Sequence, residues 1–313
     1  MSDTSIASEP PVVVGVDGSE NSLRALEWAL GAAEHLGSPL VVAHVRSDAL
    51  QLGAARIASL GPSPEFPDTV VEAVRNVVER GGHRIPVRYE SLDGSVTDAL
   101  PAAARGARIL VTGSRGHGGF ASLLLGSTSR TLAGTAPCPL VVVPHEARAV
   151  VLEGGAEAGR VLLGLHTEET PDEVVDFAFE AAHHRGVALE ALTAFRLPPQ
   201  PSAVAAAPAP ALQVPPPLPL ANEAEDLVRE VKRRQEERLR PFAARRPGVR
   251  LVPTVVPSDA AGLLAEGSRD AGLLVVGRHH RHRLGSLLVG SVAHAVLHHA
   301  HCPVAVVPPV PRP

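Results

Sequence analysis

A glycine-punctuated stretch, G-S-R-G-H-G-G-F-A-S-L-L-L-G-S from Gly113 to Ser127, returns 164 positions later as G-R-H-H-R-H-R-L-G-S-L-L-V-G-S, from Gly277 to Ser291. The closing segments match as well: Cys138-Pro139-Leu140-Val141-Val142-Val143-Pro144 aligns with Cys302-Pro303-Val304-Ala305-Val306-Val307-Pro308. The openings, Val12-Val13-Val14-Gly15-Val16-Asp17 and Val161-Leu162-Leu163-Gly164-Leu165-His166, align at an offset of 149. The offsets differ by 15, so the second copy holds about 15 extra residues between opening and loop. A chain of this kind folds as one unit used twice, and a unit of about 140 to 155 residues can bury its own core. The first unit is expected over residues 1–147 and the second over 158–313.

Within the first copy, apolar runs alternate with segments of helical period. Strands are expected at Val12–Val16, Leu40–Val45, Val87–Glu90, Arg108–Val111 and Pro139–Val143. Helices are expected from Ser19, as N-cap, through His35, then near Asp68–Glu79 with a stripe of Val70, Val74, Val77 and Val78. Further helices follow at Val96–Arg105 and from Ser127 to about Gly134. The second copy repeats the plan, with strands near Val161–Leu165, Leu189–Phe195, Leu251–Val256, Leu273–Val276 and Val304–Val307. Its insert, Leu197–Leu220, holds nine prolines and is expected as an extended loop. The charged helix after it is expected over Ala224–Arg240, with Leu227, Val231, Leu239 and Phe242 on one face. Unbroken Val/Leu/Ile strands separated by helices imply an α/β class: two doubly wound, five-stranded parallel sheets in tandem. Ligands in such sheets bind beyond the carboxyl ends of the strands, where strand order reverses.

Composition narrows the function classes. Met1 to Pro10 has no basic segment followed by an apolar one, so no signal peptide is expected and the cytoplasm is the expected location. No uninterrupted apolar run reaches membrane-spanning length. A net charge of −4 gives no reason to expect a nucleic-acid partner. Two cysteines cannot build a disulfide framework, and Cys138 and Cys302 are repeat-equivalent, which suits two small buried side chains.

The loop itself has a chemical reading. Gly113, Gly116 and Gly126-Ser127 stand at G-x2-G-x9-G-[ST] spacing between a strand and a helix. Glycines there let backbone N–H groups converge on an anionic oxygen through positive φ angles, with the helix N-terminus adding favourable electrostatics. Together with Gly15-Val16-Asp17-Gly18-Ser19 and the Cys-Pro-Leu-Val-Val-Val-Pro close, the loop resembles that of the universal stress protein (UspA-type) family. The resemblance covers nearly the whole chain apart from the first ten residues and the insert. It implies ATP in the switch-point cleft of the first copy. Gly15, Val16 and Asp17 would line the cleft, with Asp17 beside ribose or adenine, and Val45 would face the adenine. Gly113, Ser114, Arg115 and Gly116 would wrap ribose and phosphates, and Gly126, Ser127 and Thr128 would hold the phosphates. Two plainer readings stand beside these: Asp17 as a cap for the helix at Ser19, and Arg115 as a solvent-exposed loop residue. Magnesium is the expected companion of a triphosphate, although no carboxylate in the loop would bind it directly.

The second copy departs from the pattern, with His166 in the place of Asp17 and His280 in the place of Gly116, inside the run Arg278 to Arg283. Three readings compete there: a degenerate pocket, an altered anion site, and a metal site. The expected function is regulatory ATP binding in a stress response, acting on an unidentified protein partner. The alternatives are slow ATP hydrolysis or self-phosphorylation, with Ser127, Thr128 and Ser129 as the hydroxyls at hand, or a scaffold that binds no nucleotide. The resemblance also implies an intrachain pseudo-dimer joined at the last strands, Pro139–Val143 and Val304–Val307, with a homodimer of chains left open.

Overall fold

The computed structural model describes residues 9–46, 68–116, 125–145, 159–196, 220–278 and 289–309. The first half supplies strands β1 (Val12–Val16), β2 (Leu40–Arg46), β3 (Val87–Asp93), β4 (Ile109–Gly113) and β5 (Leu140–Val143). Its helices are α1 (Glu20–Leu36), α2 (Thr69–Gly81), α3 (Val96–Ala103) and α4 (Ser127–Thr135). The second half supplies β6 (Arg160–Gly164), β7 (Leu189–Phe195), β8 (Leu251–Pro257), β9 (Ala271–Gly277) and β10 (Val304–Val307). Its helices are α5 (Asp172–Arg185), α6 (Leu220–Arg245), α7 (Ala260–Gly267) and α8 (Ser291–His299).

The ten strands of the described residues form one sheet in the order β3-β2-β1-β4-β5-β10-β9-β6-β7-β8. Pairing is parallel within each half and antiparallel only where the halves meet, with Val142 opposite Val304, Val141 opposite Ala305 and Leu140 opposite Val306. These six side chains are buried, so two apolar edges close each other off. One core lies under α1, α2, α5 and α6, and a second lies on the opposite face under α3, α4, α7 and α8. Strand order reverses between β1 and β4, and again between β6 and β9, which places a cleft at the carboxyl ends of each pair.

Local chemistry sets the helix ends. Ser19 caps α1 by accepting from Ser22 N, and α1 and α5 both stop at left-handed glycines, Gly37 (φ 62°) and Gly186 (φ 64°). In α2, valines at 70, 71, 74, 77 and 78 permit two overlapping stripes. The buried one is Val71, Val74 and Val78, whereas Val77 is 45% exposed, so the expected stripe is corrected. Asp68 settles the roll of the helix. Its Oδ1 accepts from Val70 N and Val71 N, while His44 and Ser91 both donate to Oδ2 at 2.7 Å and tie the cap to β2 and β3.

The charged helix α6 also differs from its expected range, opening at Leu220 and running through Pro241 to Arg245. Phe242 explains the extension: it is buried and stacks on Phe179 with ring centroids 6.2 Å apart, which offsets the hydrogen bond that the proline removes. Gln235 is buried within the apolar face and reaches Ala191 O (2.8 Å), Thr193 Oγ1 (2.9 Å) and Thr254 O (3.2 Å), bracing β7 against β8. The remainder of the proline-rich insert, residues 197–219, lies outside the described residues.

Burial alone would raise the Asp68 carboxyl, but the bonds from His44, Ser91 and Val71 outweigh it and hold the group below its ordinary value of 3.8. Ionised Asp68 therefore stabilises the fold fully above that value, and its contribution is lost as pH falls through the lower folded value. Asp68→Ala is expected to cost about 1–2 kcal/mol at neutral pH. It should also flatten the loss of stability below about pH 4, read from urea midpoints across a pH series.

Candidate functional site

The first-half site is built at the carboxyl ends of β1 and β4. Asp17, just past β1, uses Oδ1 to accept from Ser19 N (2.9 Å) and Ser19 Oγ (2.5 Å), so it braces the residue that caps α1. Its Oδ2 faces Gly116, where an added Cβ would lie only 2.5 Å away. Gly113 meets backbone in the same manner, since a Cβ there would stand 2.7 Å from Asn21 O. Close approach, rather than the expected positive φ, is therefore what these two glycines provide. Among the described residues of the site, the left-handed glycine is Gly18, at φ 81° in the turn after Asp17.

The loop is fastened to α4 by two bonds. Gly126 N donates to Ser114 O at 2.8 Å, and Ser129 Oγ donates to Gly113 O at 2.7 Å. Ser129 is buried by this bond and is removed from the group of reactive hydroxyls, leaving Ser127 exposed and Thr128 half-buried at the first turn. Gly126 is the N-cap of α4 and carries no side chain to accept from the first-turn amides, which stay available to an external acceptor. Beside them, Ser114 Oγ and Arg115 Nε are buried with no hydrogen-bond partner among the described residues. Open amides and orphaned polar atoms fit a ligand rich in anionic oxygens.

Gly15 and Val45 reach the same region on the α3–α4 face of the sheet, with Val45 half-buried at the end of β2 and Gly15 against Leu100. Val16 does not, since its side chain enters the core on the opposite face and only its backbone borders the cleft. His117 and the residues from there to 124 lie outside the described residues.

The second half keeps the frame and changes the side chains. Gly290 caps α8 with nearly the dihedrals of Gly126 (φ −60°, ψ 155° against φ −71°, ψ 156°). A cavity of about 660 Å³ remains there, lined by residues that include Gly164, His166, Thr170, Gly277, Arg278 and Ser291. His166 turns into its own loop, where Nδ1 accepts from Glu169 N at 3.2 Å. His280, His279 and the basic run to Arg283 lie outside the described residues. Among the described residues no group of three or more His, Cys, Asp or Glu side chains is placed to hold a metal ion. Cys138 and Cys302 are buried, and burial pushes their thiols up to about 11 and about 12, so both stay protonated.

His44, Asp68 and Ser91 are the residue types of a hydrolytic triad, but the Ser91 hydroxyl donates to Asp68 rather than to His44. Among the described residues no imidazole accepts from that serine, and its bond to Asp68 ties β3 to the cap of α2. No described helix is long and apolar enough to cross a membrane.

Residues 10–144 and 157–308 each match the sequence pattern of the universal stress protein family. A universal stress protein of Mycobacterium tuberculosis is 32% identical over 309 residues, covering 94% of this chain and 96% of its own length. One from Mycolicibacterium smegmatis is 30% identical over 319 residues, covering 97% and 98%. The crystal structure of a universal stress protein from Archaeoglobus fulgidus shares the fold at a TM-score of 0.59 and 16% identity, covering 96% of this chain and 98% of that one.

Ser129→Ala removes the buried hydroxyl that fastens α4 to β4 and should cost about 1–2 kcal/mol in urea denaturation. Ser127→Ala, at an exposed position of the same turn, should stay within about 0.5 kcal/mol of the parent.

Proposed function

The chain belongs to the universal stress protein family, and from that membership we propose that its first half binds ATP as a regulatory ligand. The observation that carries this reading is the N-terminus of α4 with no side-chain cap, beside Ser114 Oγ and Arg115 Nε that have no partner among the described residues, at the switch point of the sheet. The phosphates would meet the first-turn amides and the hydroxyls of Ser127 and Thr128, with Arg115 adding charge. Gly113 and Gly116 keep the loop backbone near β1, and Gly15 and Val45 border the space left for adenine and ribose. Asp17 both braces α1 and presents a carboxylate oxygen toward the cleft. Occupancy would alter the surface beside α4 that a protein partner meets. The second half, which lacks the carboxylate of Asp17 and the glycine of Gly116, would contribute mainly support.

Denaturing the purified protein and separating released nucleotides should yield roughly one adenine nucleotide per chain. No release, together with no thermal shift in added Mg-ATP, would overturn the reading. Gly116→His copies the second half and drives a side chain into the Asp17 carboxylate. It should weaken ATP binding by about tenfold or more in calorimetric titration.

A further inference from the structure

Arg278 follows Gly277 at the end of β9 and occupies the place that Ser114 holds in the first half. Its guanidinium crosses into the other half, where Nη1 donates to Gly134 O at 2.9 Å and to Ala136 O at 3.0 Å. Those carbonyls belong to the trailing end of α4. The antiparallel seam makes the contact unavoidable in outline, because the carboxyl ends of β9 and β10 lie beside the amino end of β5, which α4 leads into.

We propose that Arg278 is a positioning residue for the first half's nucleotide site: it holds the C-terminal end of α4 so that the N-terminal amides face the phosphates. The proposal rests on the nucleotide reading above.

The final turn of α4 explains why an outside cation is needed. The last carbonyls of a helix have no partner inside it, and a cation or a left-handed glycine usually answers them. Helix α4 has no basic residue in its last turn, and its C-cap Ala136 is extended (φ −54°, ψ 133°). Arg278 supplies from the other half what the helix lacks. Burial works against the guanidinium charge and lowers its pKa, and Nε has no partner among the described residues, so the two carbonyl bonds are what hold the group there.

The brace runs one way. Ser114, the repeat-equivalent residue, is too short to reciprocate, and its Oγ is buried without a partner among the described residues. Helix α8 carries His298 and His299 in its own last turn instead. The half that has lost the pattern glycine therefore steadies the half that keeps it. Helix α4 is only nine residues long and is fastened at its other end through Gly126, Ser129, Ser114 and Gly113, so a shift at the Arg278 end would load those bonds at the phosphate end.

Calorimetric titration of the full chain with ATP, and separately with adenosine, tests this in the parent, Arg278→Met and Arg278→Lys. The Met variant is expected to bind ATP about 3- to 10-fold more weakly, with adenosine affinity within about twofold of the parent. The Lys variant, which keeps a donor for the carbonyls, should recover part of the loss, and it carries the test alone if the Met variant does not fold. Equal weakening of ATP and adenosine would mark a general structural role and overturn the proposal, as would unchanged affinity for both. A parent chain that binds no ATP would overturn the nucleotide reading and this proposal with it. A parent that binds ATP, with both variants matching it, would overturn this proposal alone.

Discussion

The antiparallel pairing of β5 with β10 is the contact on which the remaining arrangement depends, because each half ends on a short, wholly apolar strand at the edge of its sheet. Such an edge exposes unpaired backbone groups as well as hydrophobic side chains, and it cannot stay open in water. Joining the two edges within one chain satisfies both at once, and it does so without a second molecule. The join also sets directions. Strands run one way in one half and the opposite way in the other, so the two clefts open at opposite ends of a continuous sheet. Arg278, at the cleft of the second half, thereby lies beside the trailing end of α4.

The same pairing places α1 against α5 across the seam. There a cavity of about 670 Å³ is walled by repeat-equivalent pairs, Trp28 with Phe177, Ala32 with Ala181, His35 with His184 and Ile109 with Leu273. Duplication has kept these positions in register while letting the residues drift. The Arg185 guanidinium packs 5.3 Å from the Trp28 ring centroid, whereas its repeat-equivalent position in the first half is the apolar Leu36. The pseudo-symmetry is thus exact in topology and broken in chemistry, as it is at Ser114 and Arg278.

What could be read in advance followed from how local each signal is. The strands and the cap at Ser19 depend on apolar runs and a single residue, and they lie within two residues of where the sequence places them, apart from β3, which runs three residues further to Asp93. The stripe on α2 did not, since five valines leave its roll undecided until Asp68 is bonded to β2 and β3. Nor did the continuation of α6 through Pro241, which depends on Phe179 lying far away in sequence. At the candidate site the motif glycines were visible, but their reason was not. Spacing suggested turns with positive φ, whereas the structure uses Gly113 and Gly116 to bring backbone against Asn21 and Asp17. Gln235 and Arg278 carried no sequence signal of their own, because each acts through carbonyls brought near only by the tertiary fold.

The second half departs from the first half's pattern, and the bonds from Arg278 to α4 tie that departure to the first half. Once two copies are joined at their last strands, a residue in the loop of either copy can reach the helix end of the other. In a symmetric pair that loop must serve its own cleft, and any residue that reaches across does so at the expense of the local site. Duplication removes the conflict, because only one copy has to keep the loop that the cleft requires. The second copy is then free to place an arginine where the first keeps a serine, and a histidine where the first keeps Asp17. Under the proposed brace, the second half differs from the first at Arg278, His166 and His280, and the first of these differences is the one that reaches α4.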